Sequence, residues 1–233
     1  MSYLSHPFFI TLRNIGRTLG INSLLARLLI NKKYEDAFDR ELNSRINNGD
    51  IIWDVGANVG YYSQKFANLI GTSGYVYAFE PSPQNLQSLH KVVDILPNGK
   101  VLPFALGDSE QTVQFKQGAD DLGATSSIVD GKNNETTIEV KMYPADWVIS
   151  SGLVPSPNVI KIDVEGYEYE VLQGLNKTLH SPSLHTIGIE IHFGLLSNRS
   201  LNFAPKSIET QLKSAGFTLL WPDSSHIIAY RKS

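Results

Sequence analysis

The sequence predicts an α/β domain with a mostly parallel seven-stranded sheet, helices on both faces and an antiparallel last strand. Short apolar runs rich in β-branched and aromatic residues alternate with segments of helical periodicity, which is typical of strand–helix–strand units. The last two apolar runs are instead separated by only four residues, Pro222 to Ser225. A connection this short cannot make a parallel crossover, so the last strand is expected to run antiparallel.

The first half of the domain carries three strand signals. IIWDV at 51–55 precedes a helical pattern over 61–70, and YVYAFE at 75–80 precedes a second helix that begins after a Pro-Ser-Pro sequence. KVLPFALGD at 100–108 is expected to form the third strand. These runs give two complete strand–helix units and the strand that follows them.

Two more units are expected in the second half. NVIKIDV at 158–164 leads into the helical segment 167–175, and HTIGIEIH at 185–192 leads through a loop to a helix over 206–216. Five parallel strands are therefore the simplest count, and the terminal hairpin adds two.

The chain is expected to divide into a helical segment and a main domain. Residues 1–48 are interpreted as an N-terminal helical segment that caps the domain at 49–233. Within the domain, a hairpin is expected at about 108–143, and we favour its polar tip as a substrate lid over a solvated loop. Residues 8–30 form a basic amphipathic pattern, for which peripheral membrane contact or a homodimer contact are the alternatives to a packed cap.

Composition excludes several classes of protein and site. The 20 basic and 23 acidic residues give a net charge of −3 without a dense basic stripe, so nucleic acid is not an expected partner. The absence of cysteine excludes disulfides and cysteine metal ligands and fits a cytoplasmic location. The first residues lack the charged and apolar regions of a signal peptide, and no apolar stretch has the length of a membrane span, so we expect neither feature.

The turn after the first strand contains chemically informative residues. Ligands of open α/β sheets bind at the carboxyl ends of the strands, which places the turn from Asp54 to Gly60 at the mouth of the site. Gly56 and Gly60 permit close approach of a backbone, but Asn58 replaces the second glycine of a dinucleotide fingerprint. The Asp54 carboxylate would repel a diphosphate and attract the sulfonium and ammonium groups of S-adenosylmethionine.

Two further acids follow the next strands. Glu80 lies twenty residues after Gly60, where a carboxylate can accept both hydroxyls of an adenosine ribose. Asp108 follows the third strand and could accept the adenine amino group, although an ordinary turn residue explains it equally well. The structural alternatives are a capping acid at Asp54 and a solvated strand end at Glu80.

Four ordered motifs carry a family resemblance. DVGANVGYYS, VYAFEPSPQNL, FALGD and IKIDVEGYEYEVLQG follow one another between about residues 50 and 195. In this order they resemble the FkbM family of S-adenosylmethionine-dependent methyltransferases. The family phrase before the fourth strand differs here, because YPADW has Ala145 where a leucine is usual, which leaves the role of Asp146 open.

The resemblance implies a class I methyltransferase, Rossmann-like, with sheet order 3-2-1-4-5-7-6. It implies that S-adenosylmethionine donates a methyl group to a hydroxyl of a small molecule, sugar, glycan or natural product and leaves S-adenosylhomocysteine. The residues expected to contact this cofactor lie at or just after the carboxyl ends of four strands: Asp54, Gly56, Ala57, Asn58, Gly60, Glu80, Pro81, Ala105, Asp108 and Asp163.

Methyl transfer to a hydroxyl also needs a general base within hydrogen-bond reach. The candidates at the mouth are Asp163, Glu165 and His192, and we favour Asp163 and His192. Together with Glu190 these residues could alternatively gather a magnesium ion, but nothing in their spacing requires one, and we expect no required metal.

Two other functions share part of this pattern. An NAD(P)-dependent oxidoreductase would use the same sheet and Glu80, but it would need the full glycine fingerprint and no antiparallel last strand. A non-catalytic cofactor-binding protein would keep the cavity without turnover. Binding of S-adenosylhomocysteine, binding of NAD and methyl consumption separate the three hypotheses.

Overall fold

The structure is a computed structural model that describes residues 36–116, 127–128 and 137–232. The interpretation of residues 8–30 and most of the expected N-terminal segment therefore fall outside the described residues, as does most of the tip of the expected hairpin. The described chain begins within a helix over 36–43, named α1 here.

Eleven strands and six further helices follow within the described ranges. The strands are β1 (Ile51–Val55), β2 (Tyr75–Phe79), β3 (Gly99–Leu102), β4 (Ala105–Gly107), β5 (Gln111–Lys116), β6 (Ser127–Ile128), β7 (Thr137–Pro144), β8 (Val159–Ile162), β9 (Thr186–Glu190), β10 (Thr218–Leu220) and β11 (His226–Tyr230). The α-helices are α2 (Tyr61–Ile70), α3 (Pro83–Val93), α4 (Ala145–Ser150), α5 (Glu168–Gln173), α6 (Phe193–Asn198) and α7 (Ala204–Ser214), and a short 3₁₀ helix spans Thr178–His180.

The main sheet has the predicted order. Its seven strands lie as β3-β2-β1-β8-β9-β11-β10, which is 3-2-1-4-5-7-6 when they are numbered along the chain. The first five strands pair in parallel, whereas β11 runs antiparallel to both β9 and β10. The fold class and the antiparallel last strand are confirmed.

Apolar side chains on both faces of the sheet explain its continuous hydrophobic runs. On one face, Trp53 and Ile160 belong to a large buried cluster that includes residues of α4, α5 and α7. On the other face, Ile52 and Val159 pack with Phe38 of α1 and Phe66 of α2. Strands buried on both faces are expected in a parallel sheet covered by helices. The polar side chains of a site therefore lie at the carboxyl ends of the strands.

The third strand is shorter than predicted. Residues 100–108 do not form one strand, because β3 ends at Leu102 and β4 pairs in parallel with β7 in a second sheet of order β4-β7-β5-β6. Pro103 has no backbone N–H to continue the ladder, and the Phe104 N–H donates to the Leu102 carbonyl at 2.9 Å, so the chain turns there.

The second sheet lies in the region where a hairpin was expected. β5 pairs antiparallel with β7, from Gln111 opposite Met142 to Lys116 opposite Thr137. The role of its tip as a lid stays a prediction. Within the described ranges, no helix is long and apolar enough to cross a membrane.

Candidate active site

A cavity opens at the carboxyl edge of the main sheet. It has a volume of about 620 Å³ when its open mouth is included, and its walls come from the ends of β1, β2 and β8 and from the second sheet. Of the predicted site residues, those on its wall are Gly56, Asn58, Glu80, Pro81, Ala105, Asp163 and Glu165. Polar groups therefore meet apolar side chains in one concave site, as in small-molecule binding pockets.

The turn after β1 requires a glycine at its first position. A Cβ atom on Gly56 would lie 1.8 Å from the carbonyl oxygen of Asp163, and Gly56 has a φ of +79°. No other residue fits this approach of the β1 turn to the end of β8. Asn58 has a φ of +51°, a left-handed conformation that asparagine tolerates, so the missing second glycine leaves the turn intact.

Glu80 is fixed on the cavity wall by backbone hydrogen bonds. The Asn58 N–H donates to one carboxylate oxygen at 2.8 Å, and the Ser82 N–H donates to the other at 2.9 Å. Burial raises the pKa of Glu80, and these two hydrogen bonds oppose the rise. Each carboxylate oxygen keeps acceptor capacity for a ligand, because an ionised oxygen has more than one lone pair.

Asp54 does not face the cavity, which corrects the argument made from its charge. Its side chain is fully buried and accepts a hydrogen bond from the Ser63 hydroxyl at 2.6 Å. Its other oxygen lies 3.7 Å from the Lys161 ammonium, which projects from the neighbouring strand in register with Asp54. Lys161 compensates the Asp54 charge within the protein, so a cationic cofactor is not needed for that purpose.

Lys161 is absent from the predicted site residues, although its position in the sequence is unusual for a lysine. It is the one charged side chain within the apolar strand β8, and it is 3% exposed. Its ammonium lies 3.1 Å from an Asp163 oxygen, and the Asp54 and Asp163 carboxylates outweigh burial and raise the pKa of Lys161. A lysine in a strand of this kind needs buried acidic partners.

Three other predicted cofactor contacts lie away from the cavity wall. Ala57 is buried in the turn, and Gly60 precedes α2, where a Cβ atom would come within 3.0 Å of Leu89. Asp108 is exposed and accepts a hydrogen bond from the Ser109 hydroxyl at 2.8 Å. Gly60 serves packing between α2 and α3, whereas Asp108 is an exposed turn residue whose contact with adenine stays a prediction.

The three predicted catalytic residues lie together at the end of β8 and after β9. The His192 Nε2 atom is 3.3 Å from a Glu165 oxygen and 3.8 Å from an Asp163 oxygen. Glu190 also approaches it at 3.9 Å. The topology therefore brings two segments that are separate in sequence to one cluster of acids around an imidazole.

Glu168 completes this cluster and was missed by the sequence argument. Its fully buried carboxylate lies 2.7 Å from the His192 Nδ1 atom. The same oxygen accepts the Gly166 N–H at 2.8 Å. The place of Glu168 beside apolar positions at the start of α5 indicates burial, but the sequence does not identify His192 as its partner.

The backbone of the Glu165–Gly166 turn is held in an uncommon conformation. Glu165 has a φ of +51° and Gly166 a φ of +92°. Glu168 binds the Gly166 N–H, and the Arg199 guanidinium donates to the Gly166 carbonyl. A strained turn of this kind persists where the surrounding contacts fix it, and such turns concentrate at functional sites.

The surroundings shift the pKa values of the three candidate catalytic groups differently. Burial, with the Asp163 and Glu190 carboxylates nearby, raises the pKa of Glu165 to about 7 despite His192. Burial opposes the charged form of His192, but the hydrogen bond and charge of Glu168 outweigh it and raise the pKa of His192 to about 9. Burial likewise opposes ionisation of Asp163, yet Lys161 and His192 lower its pKa below the usual value.

The same cluster has atoms suitable for a divalent cation. Asp163, Glu165 and His192 each offer one ligand atom, and these atoms lie within 4.8 Å of one another. Two carboxylate oxygens and one imidazole are an acceptable donor set for manganese or magnesium. The geometry therefore permits a metal without requiring it.

Asp146, whose role the sequence left open, supports the main chain. Its carboxylate accepts the Lys177 N–H at 2.7 Å and both the N–H and the hydroxyl of Thr178, at 2.9 Å and 2.6 Å. These bonds anchor the segment that begins the 3₁₀ helix. Asp146 thus has a structural explanation.

Comparisons with known proteins agree with this architecture. Residues 54–219 match the sequence model of the methyltransferase FkbM domain. The hexuronic acid methyltransferase AglP of Haloferax volcanii is 34% identical over 148 residues, which cover 63% of this chain and 57% of AglP. The chain thus spans less than two thirds of the length of this curated relative.

Solved structures show the same fold. The methyltransferase FkbM from Methylobacillus flagellatus superposes with a TM-score of 0.54 at 16% identity, over 80% of this chain and 44% of that protein. A putative rRNA methylase from Clostridium thermocellum gives 0.51 at 13% identity, over 85% and 95% of the two chains. From the match over residues 54–219, the chain belongs to the FkbM family of methyltransferase domains.

Proposed function

We propose that this chain is an S-adenosylmethionine-dependent methyltransferase that acts on a hydroxyl of a sugar or glycan. The proposal rests on one cavity that has Glu80 on one wall and Asp163 and Glu165 on another, with His192 beside these two acids. Family membership supports the reaction class. The hexuronic acid methyltransferase relative supports a sugar as the acceptor.

The cavity fits an adenosine-containing methyl donor. Glu80 would accept the ribose hydroxyls, as strand-end acids do in related sheets. Phe104, Leu106 and Ile128 supply an apolar wall suited to an adenine ring, and Pro81 and Ala105 adjoin it. When bound, S-adenosylmethionine supplies a methyl group on a positively charged sulfur, and this chain positions and deprotonates the acceptor.

Glu165 is the general base that the geometry favours. The turn directs it into the cavity, and its pKa of about 7 allows it to accept a proton near neutrality. S-adenosylmethionine would supply the methyl group for the acceptor oxygen and keep the electron pair of its carbon–sulfur bond, and Glu165 would take up the hydroxyl proton. Asp163 is ion-paired with Lys161, so it is the weaker base.

His192 acts as a cation in this proposal, which revises its expected role as a base. A pKa of about 9 leaves its imidazole protonated near neutral pH. Its Nε2–H then points toward Glu165 and Asp163, where it stabilises the carboxylate that will accept the proton. The protonated imidazole already supplies positive charge where a metal ion could bind, so we propose that no resident metal is required.

Ligand binding and methyl transfer together test the proposal. Calorimetry should show binding of S-adenosylhomocysteine and none of NAD. Labelled S-adenosylmethionine, offered with a panel of hydroxylated sugars and glycans that includes hexuronic acids, should give a methylated product by mass spectrometry. NAD binding without S-adenosylhomocysteine binding would overturn the proposal in favour of an oxidoreductase. Cofactor binding without methyl consumption on any acceptor would instead favour a non-catalytic cofactor-binding protein.

A further inference from the structure

A second cavity adjoins the first at Asp163. It lies between the α1 and α2 helices and the carboxyl edge of the sheet, and its volume is about 510 Å³ with its open side included. Asp163 is on the wall of both cavities. A ligand in the second cavity would therefore lie next to the cluster proposed to deprotonate the acceptor.

Aromatic rings form one side of the second cavity. Phe38, Tyr61 and Tyr62 contribute to this wall, and Tyr61 is 65% exposed although it is a large aromatic residue. The Tyr61 and Tyr62 rings meet edge to face, with centroids 5.2 Å apart and an interplanar angle of 83°. An exposed aromatic ring in a concave site, here that of Tyr61, offers flat apolar contact to the C–H face of a ring-shaped ligand.

Basic and acidic side chains form the rest of its lining. The buried Lys161 ammonium lies 3.1 Å from Asp163 and 4.6 Å from the centre of the Tyr62 ring. The His226 Nε2 atom lies 3.5 Å from Glu190. The lining thus has two basic side chains, Lys161 and His226, each beside a carboxylate.

Balanced donors and acceptors suit a ligand with several hydroxyl groups. A hydroxyl both donates and accepts, so it can bind a carboxylate and an ammonium in the same wall. A phosphate would find each cation already beside a carboxylate, and that proximity opposes binding of an anion. Hydroxyls on one edge and C–H groups on the face are the properties of a sugar ring.

We infer that this second cavity is the acceptor subsite and that it takes a sugar ring stacked against Tyr61, with a hydroxyl directed past Asp163. The inference rests on the proposed function, because it assigns the methyl donor to the first cavity. It adds the location and the chemistry of acceptor recognition, which neither the family match nor the fold specifies.

Tyr61 variants test the stacking contact. Protein loaded with S-adenosylhomocysteine would be titrated with methyl β-glucopyranoside, and binding would be followed by saturation-transfer NMR. Tyr61→Ala should weaken sugar binding at least about tenfold, whereas Tyr61→Phe should retain it. Ile95→Ala is the matched control, since Ile95 is a 75% exposed apolar residue beyond the distal end of α3. Equal sugar affinity in Tyr61→Ala and wild type, or no sugar binding to the loaded wild type, would overturn the inference.

The absence of cysteine allows a second test that separates the two cavities. Tyr61→Cys would give the chain a single thiol, which a bulky maleimide would modify. The modified protein should bind S-adenosylhomocysteine with unchanged affinity and lose sugar binding and methyl transfer, while modified Ile95→Cys keeps all three. Release of S-adenosylhomocysteine on modification at position 61 would assign this cavity to the donor and refute the inference. If unmodified wild type failed to bind S-adenosylhomocysteine, the proposed function itself would fail.

Discussion

The Nδ1 atom of His192 lies 2.7 Å from the carboxylate of Glu168, whose side chain is fully buried. This contact fixes which ring nitrogen faces the two acids of the cavity wall, because Nε2 is the nitrogen that lies near Glu165 and Asp163. A buried carboxylate behind a histidine sets both the orientation and the charge of the ring. Glu168 is thus a positioning residue.

Glu168→Gln should lower the pKa of His192 from about 9, because the amide can replace the hydrogen bond but not the negative charge. Turnover should fall by roughly 10- to 100-fold, as for other partners behind a catalytic group, while S-adenosylhomocysteine binding stays unchanged. NMR titration of the His192 ring measures the shift directly. Asp94→Asn, in an exposed pair with His90, serves as the control. An unchanged His192 pKa would refute the assigned role.

Glu165→Gln should reduce kcat/KM by about 10²- to 10⁴-fold, the usual contribution of a general base. In the wild type, activity should rise with pH through about 7 as Glu165 loses its proton. It should fall as pH increases through about 9, where His192 loses its charge. A pH profile of kcat/KM tests both limbs, and persistence of the lower limb in Glu165→Gln would assign the base to another residue.

Glu80→Ala and Asp54→Asn should have different effects. Glu80 is on the cavity wall, so its loss should weaken S-adenosylhomocysteine binding at least about tenfold. Asp54 is buried against Lys161 and Ser63, so Asp54→Asn should destabilise the fold by roughly 1–3 kcal/mol. Any loss of cofactor binding in Asp54→Asn should follow this destabilisation. Calorimetry and urea unfolding separate the effects, and weakened binding at unchanged stability would place Asp54 in direct contact with the cofactor.

His226 should make stability depend on pH. Burial opposes its charge, but hydrogen bonds with Asp223 and Glu190 outweigh burial and raise the pKa of His226 to about 9. The folded state therefore binds this proton more tightly than the unfolded state, where the pKa is about 6.5. The stabilisation is fully present below pH of about 6.5 and is lost as pH rises through about 9.

Urea unfolding at both ends of this range measures the effect. The stability advantage of wild type over His226→Gln should shrink by about 2–3 kcal/mol between them. The difference between the two proteins removes the contribution of the other titrating groups. A constant difference across the range would show that the His226 pKa is not raised by folding.

Treatment with EDTA should leave methyl transfer unchanged, because the His192 imidazolium supplies positive charge among Asp163, Glu165 and Glu190. The assay compares initial rates before and after chelation, with magnesium or manganese added back. Loss of activity that either ion restores would identify the Asp163, Glu165 and His192 group as a metal site.

The sheet could be predicted because its signals are local. Apolar runs, their lengths and the short connection before β11 depend on residues close in sequence, and they predict the alternation of strands and helices and the antiparallel last strand. The strand order that the structure has is the one that the family resemblance implies. The exception is the region 100–108, which the sequence predicts as a single strand. Pro103 interrupts it, because proline has no N–H to donate to the neighbouring strand.

The site was predicted less completely, because charge partners come from different elements. The sequence identified Glu80, Asp163, Glu165 and His192 by their positions after strands. It predicted that Asp54 faces a cationic ligand, whereas Asp54 is buried beside Lys161. It did not identify Lys161 or Glu168 as residues near the site. These errors share one cause. The role of a buried charged side chain depends on its partner in space, and the sequence does not identify that partner.

By itself, the sequence determined the order of the strands, the glycine turn at the carboxyl edge and the family of the chain. The tertiary structure alone decided which acids are available to a ligand. Asp54 is neutralised by Lys161 across adjacent strands, and His192 is oriented by Glu168 from the following helix. Backbone preferences are local, whereas burial and electrostatic pairing depend on distances that exist only after the elements have packed.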